Sequence, residues 1–332
     1  MTLQNEFSWS FSRANLYSEC QKRYWYTYYG SWDGWPKTPW DKRKQIDPLA
    51  AYLYALKQMQ SMPTYVGSTV HEAIEYFLKT KKPFSEDALL ERGRTKFLDG
   101  IAEAKTDKWK ESPKKHKNLF EYYYNQPPTS ETLLQAENKV VSCLENWYKS
   151  PIVQQLAFHA DSRILSIEEL AFFQLAGKYK IIVVIDFALM WKDLAVLFDW
   201  KTGEESDKTE EQLYLYALFA NRVWSIPFDK IILSPFYLSK NSYTKIGAGC
   251  PTPLDTAKIQ KVEQGIEASC DKLSVLHTVQ DPEGFAYTTQ RERCTRCPFK
   301  ELCQGVDYQD VSREELRNKV LGIKNRSSEA RV

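Results

Sequence analysis

Three side chains in the stretch VVIDFALMWKDLAVLFDWKTG, residues 183–203, have the types and spacing to do chemistry: Asp186, Asp199 and Lys201. Asp186 lies inside one apolar run, and Asp199 and Lys201 lie at the end of the next. Residues i and i+2 of a strand share a face, so Asp199 and Lys201 point the same way. A lone carboxylate in such a strand is costly to bury. Two of them with a lysine, on adjoining strands, make a small charged site in an apolar setting. Hard oxygen ligands suit Mg²⁺ or Mn²⁺, and a nearby ammonium positions or helps deprotonate a metal-bound water. A structural ion pair with a turn acid is the competing reading of the same three residues.

Two further pairs carry less weight singly. Gly67-Ser-Thr-Val-His71 opens a helical pattern that puts His71 and Glu75 one turn apart on one face. A histidine so placed is more often structural than a ligand. Gln212 and Tyr216 are likewise four residues apart, on the helix that follows the acidic hairpin; alone they read as a polar edge beside an aromatic stripe.

In their order along the chain these pieces resemble the RecB-type nucleases of the PD-(D/E)XK superfamily. There the series is GxxxH, an aspartate, (D/E)xK and QxxxY, matched here by Gly67…His71, Asp186, Asp199-Trp200-Lys201 and Gln212…Tyr216. The resemblance implies a restriction-endonuclease-like core of the α/β (α+β) class. It implies that His71, Asp186 and Asp199 hold the metal with the backbone carbonyl of Trp200. Lys201 then serves as the catalytic lysine beside Asp186 and Asp199, while Gln212 and Tyr216 contact the substrate strand. Glu168 or Glu169, on the preceding strand, resembles a further acid of such sites, and the sequence does not choose between them.

The seven cysteines are unevenly placed. An odd number, and no visible secretory signal at the N-terminus, predict a reducing cytoplasmic setting without a disulfide framework. Cys143, Cys250 and Cys270 stand alone and read as small buried hydrophobes. Cys294, Cys297 and Cys303 form C-x₂-C-x₅-C, which needs a fourth ligand to complete a tetrahedral thiolate site. Cys20 is the candidate, in Ser10-Phe-Ser12-Arg13…Tyr17…Cys20-Gln21-Lys-Arg23. This resembles the S-x-S-R…Y…C-P-x-R opening of a branch of the same superfamily that includes AddB-type helicase-nucleases, CRISPR-associated RecB-like exonucleases and mitochondrial single-strand exonucleases. In that branch one N-terminal and three C-terminal cysteines hold a 4Fe–4S cluster that joins the chain ends. Gln21 stands where the branch has proline, a turn-shaping residue that ligates nothing. Zinc fits the same four cysteines, since spacing alone does not separate the two.

The elements that must position these residues follow from periodicity. The pattern predicts helices over Leu49–Leu78 with a break near Pro63, and over Ser85–Ala104, Thr132–Tyr148, Thr209–Val223 and Leu254–Leu276. It predicts an antiparallel meander of Ile164–Gln174, Lys178–Met190 and Leu194–Lys201, then a strand over Lys230–Leu238. Residues 31–48 read as an irregular connection, and residues 105–118, with six lysines against two acids, as a solvated turn or helix end. The expected organisation is one nuclease domain over 1–323. It comprises a helical lobe at about 31–160, a core at about 161–245 and a C-terminal helix with the cysteine cluster at about 254–305. A disordered tail follows over 324–332.

The chain has 332 residues, 43% of them hydrophobic and 27% charged, with a formal charge of +2. That balance excludes wholesale disorder, and the longest apolar runs are too short to span a bilayer. Neither a Ser/His/Asp arrangement nor a Gly-rich nucleotide loop is visible, so no motor is expected in the chain. The expectation is a Mg²⁺- or Mn²⁺-dependent DNA exonuclease acting on single-stranded ends, with a 4Fe–4S cluster. Its expected setting is repair, recombination or CRISPR-type processing, beside a helicase or other proteins of those pathways. A non-catalytic DNA-end-binding scaffold and an endonuclease on the same core are the alternatives. The aromatic run at 24–29, Tyr122–Tyr124 and the lysines at 105–117 have the composition to contact nucleic acid, although aromatic stripes usually pack cores.

Overall fold

The computed structural model describes residues 4–36, 46–80, 85–157 and 161–303. The tail expected at 324–332 lies outside them. After a two-residue strand β1 (Trp9–Ser10) come helices α1 (Phe11–Glu19) and α2 (Gln21–Trp25). A helical series follows: α3 (Pro48–Lys57), α4 (Met62–Lys79), α5 (Glu86–Ala104), α6 (Lys108–Glu111), α7 (Phe120–Tyr123), α8 (Ser130–Lys149) and α9 (Pro151–Ala157). The sheet strands are β2 (Ser162–Leu175), β3 (Tyr179–Trp191), β4 (Leu194–Lys201), β5 (Ile231–Tyr237), β6 (Ser242–Tyr243) and β7 (Ile246–Gly247). Helix α10 (Asp207–Trp224) joins β4 to β5, and α11 (Thr256–Val279) precedes the cysteines.

The result is a mixed α/β fold on one seven-stranded mixed sheet. Strands β2, β3 and β4 form the expected antiparallel meander. β5 runs parallel to β4, which requires a crossover, and α10 supplies it. β1 pairs in parallel with β3 through Trp9–Ile181 and Ser10–Ile182. Two residues carry no periodic signal, so this strand could not be read from the sequence.

Pro63 marks the beginning of α4, in its first turn, where its missing N–H costs nothing. Val66, Val70, Ala73, Ile74 and Phe77 then recur at helical spacing and are buried. The lysine-rich segment is a short helix with turns whose lysines are exposed or half-buried, as expected. Trp109, at its centre, is buried and fastens α6 to a core.

Three apolar cores hold the layers together. The first lies under α10 and α11 and takes Ile181, Val183, Ile185, Ala188, Ala195 and Leu197 from the sheet. The second lies on the other face, where Val66, Val70, Phe97 and Leu144 of the helical lobe meet Ile167, Phe187, Leu189, Phe198 and Trp200. The third is small: Tyr52, Leu53, Leu56, Met59, Trp109 and Phe120 pack on Phe299, beside Cys297 and Leu302.

Ile185 belongs to the first core and Phe187 to the second. Residues two apart in a regular strand share a face, so β3 changes face at Asp186. In β2, Ile167 faces the second core and Phe173 the first, and Glu168 between them has a φ of +50°. Both strands are therefore irregular at an acid, and the two acids stand level with one another.

Candidate active site

The register explains why these acids meet. Ile167 pairs with Phe187 and Glu169 with Ile185, which sets Glu168 level with Asp186. Phe187 pairs with Phe198 at the end of the β3–β4 ladder, so Asp199 is the next position opposite Asp186. Three carboxylates thus form a row across β2, β3 and β4. β4 parts from β3 here while staying paired with β5 as far as Lys201–Tyr237. The N–H of Trp200 leaves the ladder and donates to Asp186 Oδ2 at 2.6 Å. A left-handed backbone at a glutamate is strained, and strain of this sort gathers at functional sites.

Helix α4 brings His71 to the row from the side of the second core. Its Nδ1 lies 2.7 Å from Glu168 Oε1 and 3.9 Å from Asp186 Oδ2, and its Nε2 lies 3.1 Å from the carbonyl oxygen of Trp200. Gly67, one turn earlier, has a positional reason. A Cβ there would lie 3.3 Å from Thr202 Oγ1, so its absence lets α4 cross close to the end of β4. Glu75 is not part of the site; it pairs with Lys79 at 2.7 Å.

Helix α10 supplies the other wall. Lys201 Nζ donates to Asp199 Oδ1 at 2.9 Å and to Gln212 Oε1 at 3.1 Å. Gln212 Nε2 donates to the Tyr216 hydroxyl at 2.8 Å, which in turn donates to Asp199 Oδ1 at 3.4 Å. Tyr216 is 1% exposed. Its hydroxyl faces the acid. Gln212 and Tyr216 are spaced four apart because the ammonium and the carboxylate they hold lie one above the other.

The electrostatics are those of crowded carboxylates. Asp186 and Asp199 are 7% and 0% exposed. Burial raises the pKa of both, and for Asp199 the neighbouring Asp186 adds to this, taking it up to about 7 against the pull of Lys201. Burial alone would lower His71, but Asp186 and Glu168 outweigh it and hold the imidazole at about 9. Lys201 is raised despite its burial by Asp199 and Asp186.

Among the described residues, His71, Glu168 and Asp186 bring one ligand atom each to within 4.8 Å of one another. Both oxygens of Asp199 face the Lys201 ammonium, Oδ1 at 2.9 Å and Oδ2 at 2.8 Å. An oxygen-rich donor set with one imidazole fits a hard divalent cation. The geometry separates the two glutamates that the sequence could not: Glu168 joins the row and Glu169 is exposed. No periodicity signals this choice, because it depends on the irregular backbone at Glu168.

The four cysteines singled out from the sequence line one pocket. Cys20 sits at the junction of α1 and α2, where its sulfur accepts from the Arg23 N–H at 3.4 Å. Cys294, Cys297 and Cys303 arrive on successive tight turns, with Cys297 N–H donating to the Cys294 carbonyl at 3.1 Å. Glu19, Arg23, Arg291, Arg293 and Lys300 supply its charged lining. Burial pushes the Cys297 thiol up to about 11. No three cysteine sulfurs among the described residues lie within 4.8 Å of one another. Hydrogen bonds also join α2 to the segment that follows α11. Lys22 N–H donates to the Ala286 carbonyl at 2.9 Å, and Trp25 Nε1 to that of Gln280 at 2.8 Å. The aromatic segments are mostly internal: Tyr24 and Tyr29 are buried in the first core, and Tyr123 and Tyr124 pack against the third.

No helix among the described residues is long and apolar enough to cross a membrane. No curated protein matches the sequence. Among solved structures, that of SSO0001 is similar. The match covers 72% of this chain and 95% of that one at 13% identity, with a TM-score of 0.27. The profile of the PD-(D/E)XK nuclease superfamily matches residues 8–304, nearly the whole length. The row of acids with its lysine and the family match agree, and the chain belongs to the PD-(D/E)XK nuclease superfamily, whose members hydrolyse phosphodiester bonds and typically use a divalent metal.

Proposed function

We propose that the protein is a Mg²⁺- or Mn²⁺-dependent DNA exonuclease that trims single-stranded ends and carries a 4Fe–4S cluster on Cys20, Cys294, Cys297 and Cys303. The observation that carries the catalytic half is the level row of Glu168, Asp186 and Asp199 with Lys201 hydrogen-bonded at its end. Asp186, Asp199, Glu168, His71 and the Trp200 carbonyl would hold the metal. When bound, it supplies Lewis acidity toward the scissile phosphate and lowers the pKa of an attacking water. Lys201 orients that water through its ammonium, which Asp199 and Gln212 hold in place. Tyr216 and Gln212 act as positioning residues for the acid and the lysine. No covalent intermediate is needed.

The resemblance to end-trimming relatives supports the exonuclease over the endonuclease. Four cysteines on one pocket support a thiolate-held group. Zinc fits the same four thiolates, and the resemblance of the cysteine pattern to the cluster-bearing branch favours iron–sulfur. Its role is to close the long loop between the chain ends.

The test is anaerobic purification with iron, sulfide and zinc analysis, followed by digestion of end-labelled single strands in Mn²⁺ or EDTA. Brown protein with near-stoichiometric iron and metal-dependent shortening from the ends is the expected result. Internal cuts would favour the endonuclease. Binding of ends without cutting, by colourless zinc protein, would favour the scaffold.

A further inference from the structure

The hairpin of β2 and β3 carries an apolar face that none of the three cores uses. Near the hairpin turn, alternation sends Phe173, Leu175, Ile181 and Val183 into the first core. It therefore turns Leu170, Phe172, Ile182 and Val184 to the opposite side. These four stand as cross-strand pairs, Leu170 with Val184 and Phe172 with Ile182. Leu170, Phe172 and Val184 are 70%, 51% and 38% exposed. Apolar side chains gathered on an open face mark a binding surface, whereas scattered ones do not.

Its position says what it binds. Two residues along β2 from Leu170 is Glu168, and two along β3 from Val184 is Asp186, so the face begins where the carboxylate row ends. Among the described residues, the helical lobe covers the sheet on the other side of that row, over Ile167 and Phe187. At the far end the Lys180 ammonium lies 4.6 Å from the centroid of the Phe172 ring, and Gln174, paired with Lys180, is exposed. From Glu168 to Gln174 the strand extends roughly 20 Å. Aromatic and aliphatic surface for base faces, with a cation beside it for phosphate, is the chemistry that holds an unpaired nucleic-acid strand.

We infer that this face is a track along which the bases of a single nucleic-acid strand lie as it runs to the carboxylate row. The inference rests on the nuclease reading of that row. Phe172 stacks one base, Leu170 and Val184 support the one nearer the cut, and Lys180 meets the intervening phosphate.

The experiment uses the full chain and single strands carrying a fluorophore. One strand is long, and the other is too short to extend beyond the carboxylate row. Binding is followed by anisotropy with Ca²⁺ in place of the catalytic metal, and cleavage in Mn²⁺. Phe172→Ala is expected to weaken binding of the long strand roughly five- to tenfold, to spare the short strand, and to raise KM more than it lowers kcat. Phe172→Tyr, which keeps the ring, restores binding. Lys180→Ala reduces the salt dependence of long-strand binding. Leu170→Ser, at a more exposed position, repeats the loss should Phe172→Ala fold poorly.

Unchanged long-strand affinity in Phe172→Ala and Leu170→Ser, with wild type still cutting, overturns the track alone. Wild type that neither binds nor cuts single strands overturns both readings. A wild-type dimer in sedimentation that Phe172→Ala dissociates assigns the face to a second copy and overturns the track.

Discussion

Replacing Asp199 by asparagine should abolish cleavage and, in the absence of metal, make the fold more stable. Asp199 is fully buried beside Asp186, and burial with that second carboxylate moves its pKa from 3.8 to about 7 even with Lys201 in contact. The ionised form is disfavoured in the folded state by about 4 kcal/mol at most, at 1.36 kcal/mol for each tenfold change. The sign follows from linkage. A carboxyl whose folded pKa is raised is unpenalised below its unfolded value near 3.9, and the fold loses stability as pH rises from there through about 7. Asparagine keeps the shape and an acceptor for Lys201 but carries no charge. Urea unfolding in EDTA should show Asp199→Asn more stable than wild type by up to about 4 kcal/mol at pH 8, a gap that narrows as pH falls toward 5. Excess Mn²⁺ should stabilise wild type by mass action and the variant far less. An asparagine variant that is less stable than wild type in EDTA, or that gains as much from Mn²⁺, would refute the reasoning that a cation relieves this repulsion.

Three further outcomes are expected. Lys201→Met should lower kcat by about 10²–10⁴, the range for loss of a positioned proton-handling group, while leaving Mn²⁺-dependent stabilisation in place; a thermal shift assay with parallel kinetics checks both. Gly67→Val should wedge α4 from Thr202, since even a bare Cβ would sit 3.3 Å from its hydroxyl, and should weaken Mn²⁺ binding through His71 with the circular dichroism spectrum unchanged; isothermal titration reads this, and an unaltered affinity would remove the role given to Gly67. Cys20→Ala should lose iron and lower Tm without altering the carboxylate row, so iron analysis beside Mn²⁺ titration separates the two sites.

The parts of the fold and site that were legible in the sequence share a cause. The meander was legible because its strands are β-branched and aromatic between short turns, and the predicted end of β4 at Lys201 is where the strand ends. Asp186, Asp199 and Lys201 were legible because a charge inside an apolar strand is costly unless it has work to do. Glu168 was not separable from Glu169, because alternation assumes regular backbone and Glu168 has a φ of +50°. The face change at Asp186 was hidden for the same reason: Ile185 and Phe187 are both apolar, and nothing in their identity says that they serve different cores. Trp109 was hidden by its lysine neighbours, whose charge says solvent while the indole is buried. The inward contact of Tyr216 with Asp199 was not legible, since a tyrosine one turn beyond Gln212 reads from spacing alone as part of an aromatic stripe.

The small third core has a consequence for how the chain is made. Its early members, Tyr52, Leu53, Leu56, Met59, Trp109 and Phe120, close on Phe299, and the Glu301 carboxylate accepts from the hydroxyls of Tyr52 and Tyr123. Phe299 follows Phe120 by about 180 residues, which a ribosome adding 5–20 residues per second needs roughly 10–35 s to synthesise. Through that interval the nascent lobe displays an uncovered aromatic surface. The C-terminal turns arrive as a latch, so a chain cut short before them would leave that surface open to chaperones and proteases even with its carboxylate row already assembled.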